Sequence, residues 1–173
     1  MDSKREIHGL KWSRRLHAKP NCIPSGRPRG AKAAGLRYER QLALAFPSFE
    51  HGVWFEFEDL NGHGYCQVDF LIEFPRIVTI LEVKYTWTIE GHLQLERLYE
   101  PVVRVALEKF AEGIVVCKRL VPEAMRGATI CPDFESARGV LGRPVWHWLG
   151  AASRRPRKRA MALPHSFSAL ESR

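Results

Sequence analysis

The sequence predicts an α/β domain in which a mixed central β-sheet is flanked by helices, and three observations carry that expectation. Residues 31–46 repeat apolar side chains at helical spacing until Pro47. Residues 65–74 and 77–86 are apolar runs joined at Pro75 and Arg76. Helical spacing returns over residues 90–110, before another apolar run at 113–120. Helices interspersed with strands in this order bury their apolar faces by covering a sheet.

In the first helix, AKAAGLRYERQLALAF, the residues Gly35, Tyr38, Glu39, Leu42 and Phe46 fall on one side with Ala43 beside them, so a carboxylate stands on the packing face. Upstream, PNCIPSGRPRG is dense in turn formers and reads as an extended basic segment. After Pro47, VWFEFED alternates as a strand that ends before an NGHG turn. YCQVDFLIEF and IVTILEVKYT follow as an antiparallel pair, because Pro75 is tolerated at a bend but would interrupt a central ladder. In EGHLQLERLYEPVVRVALEKF the apolar stripe is Leu95, Leu98, Val102, Val105 and Ala106, with Pro101 placed to kink or divide the helix. GIVVCKRL is a further strand, and RPVWHWLG a weaker one in which Trp146 and Trp148 share a face.

A chain of 173 residues, 45% hydrophobic, suits one compact domain with appendages. The division is a basic N-terminal arm at 1–30, the α/β domain at 31–150 and a basic C-terminal tail at 151–173, whose RRPRKR run reads as disordered in the free protein. Residues 1–37 carry ten Lys or Arg against Asp2 and Glu6, a net +8; residues 38–150 carry eleven against sixteen acids, a net −5; residues 151–173 return to +5. Basic ends around an acidic centre attract a polyanion. Nucleic acid fits better than a membrane, because neither end shows an amphipathic helix with a large apolar face. No apolar run reaches the roughly 18–20 residues of a membrane span, and the first residues lack a signal-peptide core, which points to an intracellular chain. Cys22, Cys66, Cys117 and Cys131 have no paired spacing and read as free thiols.

The informative residues are the charges inside VDFLIEFPRIVTILEVKYT. Strand alternation puts Asp69, Leu71 and Glu73 on one face and Val68, Phe70 and Ile72 on the other, while Glu82 and Lys84 point the same way. A solvated sheet face would hold such charges, but these strands are apolar on both sides and helices are available to cover each. Adjacent buried carboxylates need a proton or a cation. Asp69, Glu82 and the Val83 carbonyl are hard oxygen ligands suited to magnesium. Lys84 then either orients water and stabilises phosphate charge or, with a depressed pKa, accepts a proton. Glu56, Glu58 and Asp59 are an alternative acidic set, and Glu73 reads as a surface group. His51, His63 and His92 lack zinc-ligand spacing, and Trp87 either packs in the core or stacks on a base.

Asp in QVDFLI, Glu and Lys in LEVKYT, and Glu39 in GLRYERQ together resemble the PD-(D/E)XK nuclease superfamily over roughly residues 35–118. The family's usual proline before its Asp is replaced by Val68. Gln94 is similar to a glutamine often found on the helix after the Lys strand, but the family's four-residue step to tyrosine lands on Leu98, with Tyr99 one place later. The resemblance implies a restriction-endonuclease-like core and a metal-dependent DNA endonuclease using Mg²⁺, for which Mn²⁺ can substitute. Its metal ligands would be Glu39, Asp69, Glu82 and Val83, with Glu39, Asp69, Glu82, Lys84 and Gln94 as the catalytic set. Small stand-alone members include phage-type endonucleases and Holliday junction resolvases, often homodimers, which implies branched or structured DNA as substrate. The corresponding location is a bacterial cytoplasm or nucleoid, or the host cytoplasm for a phage protein. A DNA exonuclease and a noncatalytic nucleic-acid-binding protein are the alternatives.

Overall fold

The computed structural model describes residues 5–24, 29–140 and 142–151. The tail expected at 151–173 therefore lies outside the described residues from 152 onward. Seven strands form one mixed sheet: β1 (Trp12–Leu16), β2 (Glu50–Asp59), β3 (Gly62–Glu73), β4 (Ile77–Thr86), β5 (Phe110–Arg119), β6 (Ala128–Cys131) and β7 (Arg143–His147), in the order β1-β2-β3-β4-β5-β7-β6. The first four strands run antiparallel, and β4, β5, β7 and β6 run parallel.

Helix α1 (Gly30–Ala45) covers one face, where Tyr38 and Leu42 pack with Phe70, Leu81, Val83 and Trp146. The opposite face takes α2 (Ile89–Gln94), a π-helical turn (Leu95–Tyr99) and α3 (Glu100–Leu107), whose Leu95, Leu98, Val102 and Val103 pack with Val68, Leu71 and Ile80. Gly113 lets this helical layer approach, since a Cβ there would lie 2.9 Å from the Leu95 Cβ. The expected mixed sheet flanked by helices is thus the observed architecture. No helix among the described residues is long and apolar enough to cross a membrane.

Several boundaries differ from expectation for identifiable reasons. The NGHG segment is not all turn, because the chain reverses at Leu60 and Asn61 and Gly62 already pairs with Asp59. The second helical region ends at Leu107, and Phe110 opens β5 instead of closing the helix. Val105, expected in the apolar stripe, is exposed. Pro101 lacks the N–H that would pair with the Arg97 carbonyl; that carbonyl accepts from Ile7 N–H at 2.9 Å. A short helix α4 (Phe134–Arg138), capped by the Asp133 side chain on Ser136 N–H, and strand β6 complete the domain.

The N-terminal region contributes an edge strand as well as charge. β1 pairs antiparallel with β2, setting Trp12 opposite Glu58 and Arg14 opposite Glu56. Lys11 bridges Glu58, Arg14 bridges Glu56, Arg15 bridges Glu50 and Glu73, and Arg5 bridges Asp59. Burial alone would raise the Asp59 carboxyl, but Arg5 and the backbone N–H groups of His8 and Asn61 outweigh it and hold the carboxyl below its usual range. The acids considered as an alternative metal set are therefore engaged by N-terminal cations.

Regular alternation fails in the strand that matters most. Val68 packs on the face of Leu71, while Phe70 and Ile72 pack on the other, so the expected grouping of Val68 with Phe70 is wrong. The break falls at Asp69, where the β3–β4 ladder, which runs from Glu73↔Val78 to Phe70↔Leu81, has ended. Across β2 the matching position is Gly52, with φ +69°, between His51↔Phe70 and Val53↔Val68. A left-handed residue in β2 lets both strands change phase together. A Cβ at Gly52 would also meet Gln67 Nε2 at 3.0 Å. Gly52→Ala is expected to lower stability by about 1–2 kcal/mol, measured by urea denaturation; an unchanged midpoint would remove this role for the glycine.

Candidate active site

The phase change leaves the Asp69 carboxylate facing the adjacent strand. Its Oδ2 accepts from Val83 N–H at 2.7 Å, replacing the carbonyl that a continued ladder would supply. On β4, Glu82 and Lys84 share a face as expected, and the Lys84 ammonium bridges Glu82 Oε1. Glu82 is 3% exposed, and its second oxygen, Oε2, is buried without a hydrogen-bond partner.

Gln94 reaches this group from the end of α2. Lys84 Nζ donates to Gln94 Oε1 at 3.4 Å, and Gln94 Nε2 donates to Tyr99 Oη. The tyrosine that stands one place late in the sequence is brought back by the π-helical turn, whose wider i→i+5 spacing puts residues five apart on one side. Burial, reinforced by the Glu82 and Asp69 charges, raises the Tyr99 hydroxyl far above its usual range and keeps it protonated. Tyr99 is the site residue that fixed α-helical spacing misses.

Electrostatics separates the carboxylates from the lysine. Burial, then the charges of Glu82 and Glu39, hold the Asp69 carboxyl well above its ordinary range. Glu82 is likewise raised, by burial first, with Lys84 opposing and Glu39 adding to the shift. Burial would lower Lys84, but Glu82 and Asp69 outweigh it and hold the ammonium above its usual value. Of the two roles left open for Lys84, this direction favours the fixed cation over the depressed, proton-accepting amine.

Glu39 approaches from α1 closely enough for its charge to raise both acids, yet its Oε1 is bonded to His51 Nε2 at 2.6 Å. Among the described residues, no three His, Cys, Asp or Glu side chains form a metal-holding group, so the expected set of Glu39, Asp69 and Glu82 is not assembled as a cage. Asp69 and Glu82 by themselves fit a magnesium ion, which takes one or two carboxylates and keeps several waters. The observation behind that fit is the unbonded Glu82 oxygen beside a second buried carboxyl. Val83 contributes its N–H to Asp69 and its side chain to the α1-facing core.

The remaining candidates lie elsewhere. Glu73 pairs with Arg15 and Lys109 at the surface. His63 bonds Glu56 at 2.8 Å, and Trp87 is a core residue at 1% exposure. His92 is buried against Trp87, and burial, with Arg143 adding, lowers its pKa to about 4, so it is neutral.

Raised carboxyls stabilise the fold fully below the unfolded carboxylate values near about pH 4, and that contribution is lost as pH rises through the folded values. Asp69→Asn is therefore expected to raise Tm in chelator at neutral pH by at least about 2 °C, with the gain vanishing below about pH 4. Differential scanning fluorimetry across pH measures this, and a lowered Tm at neutral pH would contradict the repulsion between these acids. Comparison with family models, with curated proteins and with solved structures finds no match for the chain.

Proposed function

We propose that this chain is a metal-dependent DNA endonuclease that hydrolyses phosphodiester bonds, with branched or otherwise structured DNA as its substrate class. The single observation that carries the reading is the convergence of Asp69, Glu82, Lys84 and Gln94 where β3 and β4 part, with one Glu82 oxygen left unbonded. A structural salt bridge would not need a second buried carboxyl that raises the first.

Asp69 and Glu82 would hold Mg²⁺ or Mn²⁺. Such an ion supplies Lewis-acid polarisation of the phosphoryl group and charge for the leaving oxygen. The protein's own groups do the positioning. Val83 N–H fixes the orientation of Asp69, and the β4 backbone carries Glu82 and Lys84 on one face. The Lys84 ammonium, charged and directed by Glu82 and Gln94, orients the attacking water and stabilises charge on the phosphate oxygens. Tyr99 anchors Gln94, so the amide keeps its oxygen toward Lys84. Glu39, held by His51, adds negative potential that favours a cation between the two acids. No protein nucleophile is required.

The test is cleavage of linear, nicked, flap and four-way DNA with Mg²⁺, Mn²⁺ or chelator. Asp69→Ala is expected to abolish metal-dependent cleavage and Lys84→Ala to lower it by about 10²–10³-fold. Undiminished cleavage by Asp69→Ala would end the assignment, and preferential digestion from ends would favour an exonuclease. Tyr99→Phe keeps the ring but removes the acceptor for Gln94; a loss of about tenfold in kcat is expected, with unchanged DNA affinity in chelator. Unchanged kcat would remove Tyr99 from the positioning chain.

A further inference from the structure

Two cations near the candidate site differ from the neutralised N-terminal set. Lys118 and Arg119 end β5, and among the described residues neither forms an ion pair. Both instead meet one aromatic ring: Lys118 Nζ lies 5.9 Å and Arg119 Cζ 5.0 Å from the Tyr85 centroid. Successive strand residues point to opposite faces, so convergence on a single ring requires that ring to stand at the strand end, where both side chains emerge beside it.

Their backbone is held from both sides. Trp87 N–H donates to the Arg119 carbonyl at 2.8 Å, His147 Nε2 bonds the Lys118 carbonyl at 3.1 Å, and Trp148 N–H donates to the Cys117 carbonyl at 3.1 Å. The ring restrains the long side chains, which reduces the entropy lost when they grip a ligand. Parallel pairing aligns Lys84 with Cys117 and Thr86 with Arg119, placing the Arg119 backbone about 8 Å from that of Lys84. Tyr85 packs on the α1 side against Tyr38 and Lys84 lies on the other face, so the two sets of cations flank the carboxyl ends of β4 and β5, where a strand crossing the sheet end meets both.

We propose that Lys118 and Arg119, carried on Tyr85, form a phosphate-binding platform for the DNA strand whose phosphodiester enters the Asp69, Glu82 and Lys84 site. The identity of the strand rests on the nuclease reading; the platform is an assignment of its own. Its cations engage backbone phosphate and fix the strand's path across the carboxyl ends of β4 and β5.

Binding is measured on the full chain by anisotropy of a fluorescein-labelled linear DNA duplex, in chelator, across a salt titration. The variants are Lys118→Gln with Arg119→Gln, and the exchange Lys118→Arg with Arg119→Lys, each checked for folding by circular dichroism. Two lost phosphate contacts are expected to make the slope of log K against log salt shallower by about 1.8 and to weaken low-salt binding by about tenfold. The exchanged pair keeps the wild-type slope. A wild-type slope in the double glutamine variant, or no DNA binding by the wild type, overturns the platform. A wild type that shows the slope difference but cleaves nothing supports the platform and removes the nuclease reading. A wild type that cleaves while the slopes coincide removes the platform alone.

Discussion

The hydrogen bond from Val83 N–H to Asp69 is the constraint on which the site depends. An unpaired backbone donor in the middle of a sheet is costly, and here a side chain satisfies it where the strand ladder stops. The same bond aims the carboxylate across the gap toward Glu82. One contact thus closes a defect in the sheet and places an acid where a regular strand would have turned it to one face. The phase change makes this arrangement possible, and the glycine opposite makes the phase change possible.

The two sheet faces divide the work. Glu82, Lys84, Gln94 and Tyr99 belong to the side covered by α2, the π-helical turn and α3; Glu39 and His51 come from the α1 side. Asp69 stands between them because its strand changes phase there. The acids repel one another through the sheet, and the only strong compensation among these groups is one ammonium. Such a centre is less stable than a hydrophobic one of similar size, a common cost of preorganised charge.

Long periodic segments were legible in the sequence. The bounds of β4 and nearly all of α1 follow from spacing, and Glu82 with Lys84 on one face follows from period two. What escaped depends on departures from ideal periods or on distant partners. Asp69 sits at a phase break that alternation cannot represent, and Tyr99 stands one place late only while the helix is assumed to be α throughout. WSRRL is too polar to announce a strand; it becomes one because acids on β2 face its cations. His51 carries no motif, and its bond to Glu39 exists only once α1 lies over the start of β2.

The edge strand β1 has a consequence for the molecule's electric field. Its neighbourhood acts as a covalently attached counterion: Arg5, Lys11, Arg14 and Arg15 neutralise Asp59, Glu58, Glu56 and the Glu50 and Glu73 pair. The formal charge of +8 therefore overstates what a passing polyanion meets at this edge. Proteolytic loss of that strand would unmask a row of carboxylates along β2 and reverse the local potential. Arg5, Lys11, Arg14 and Arg15 shield the sheet from its own acids, leaving attraction at a distance to the other cations.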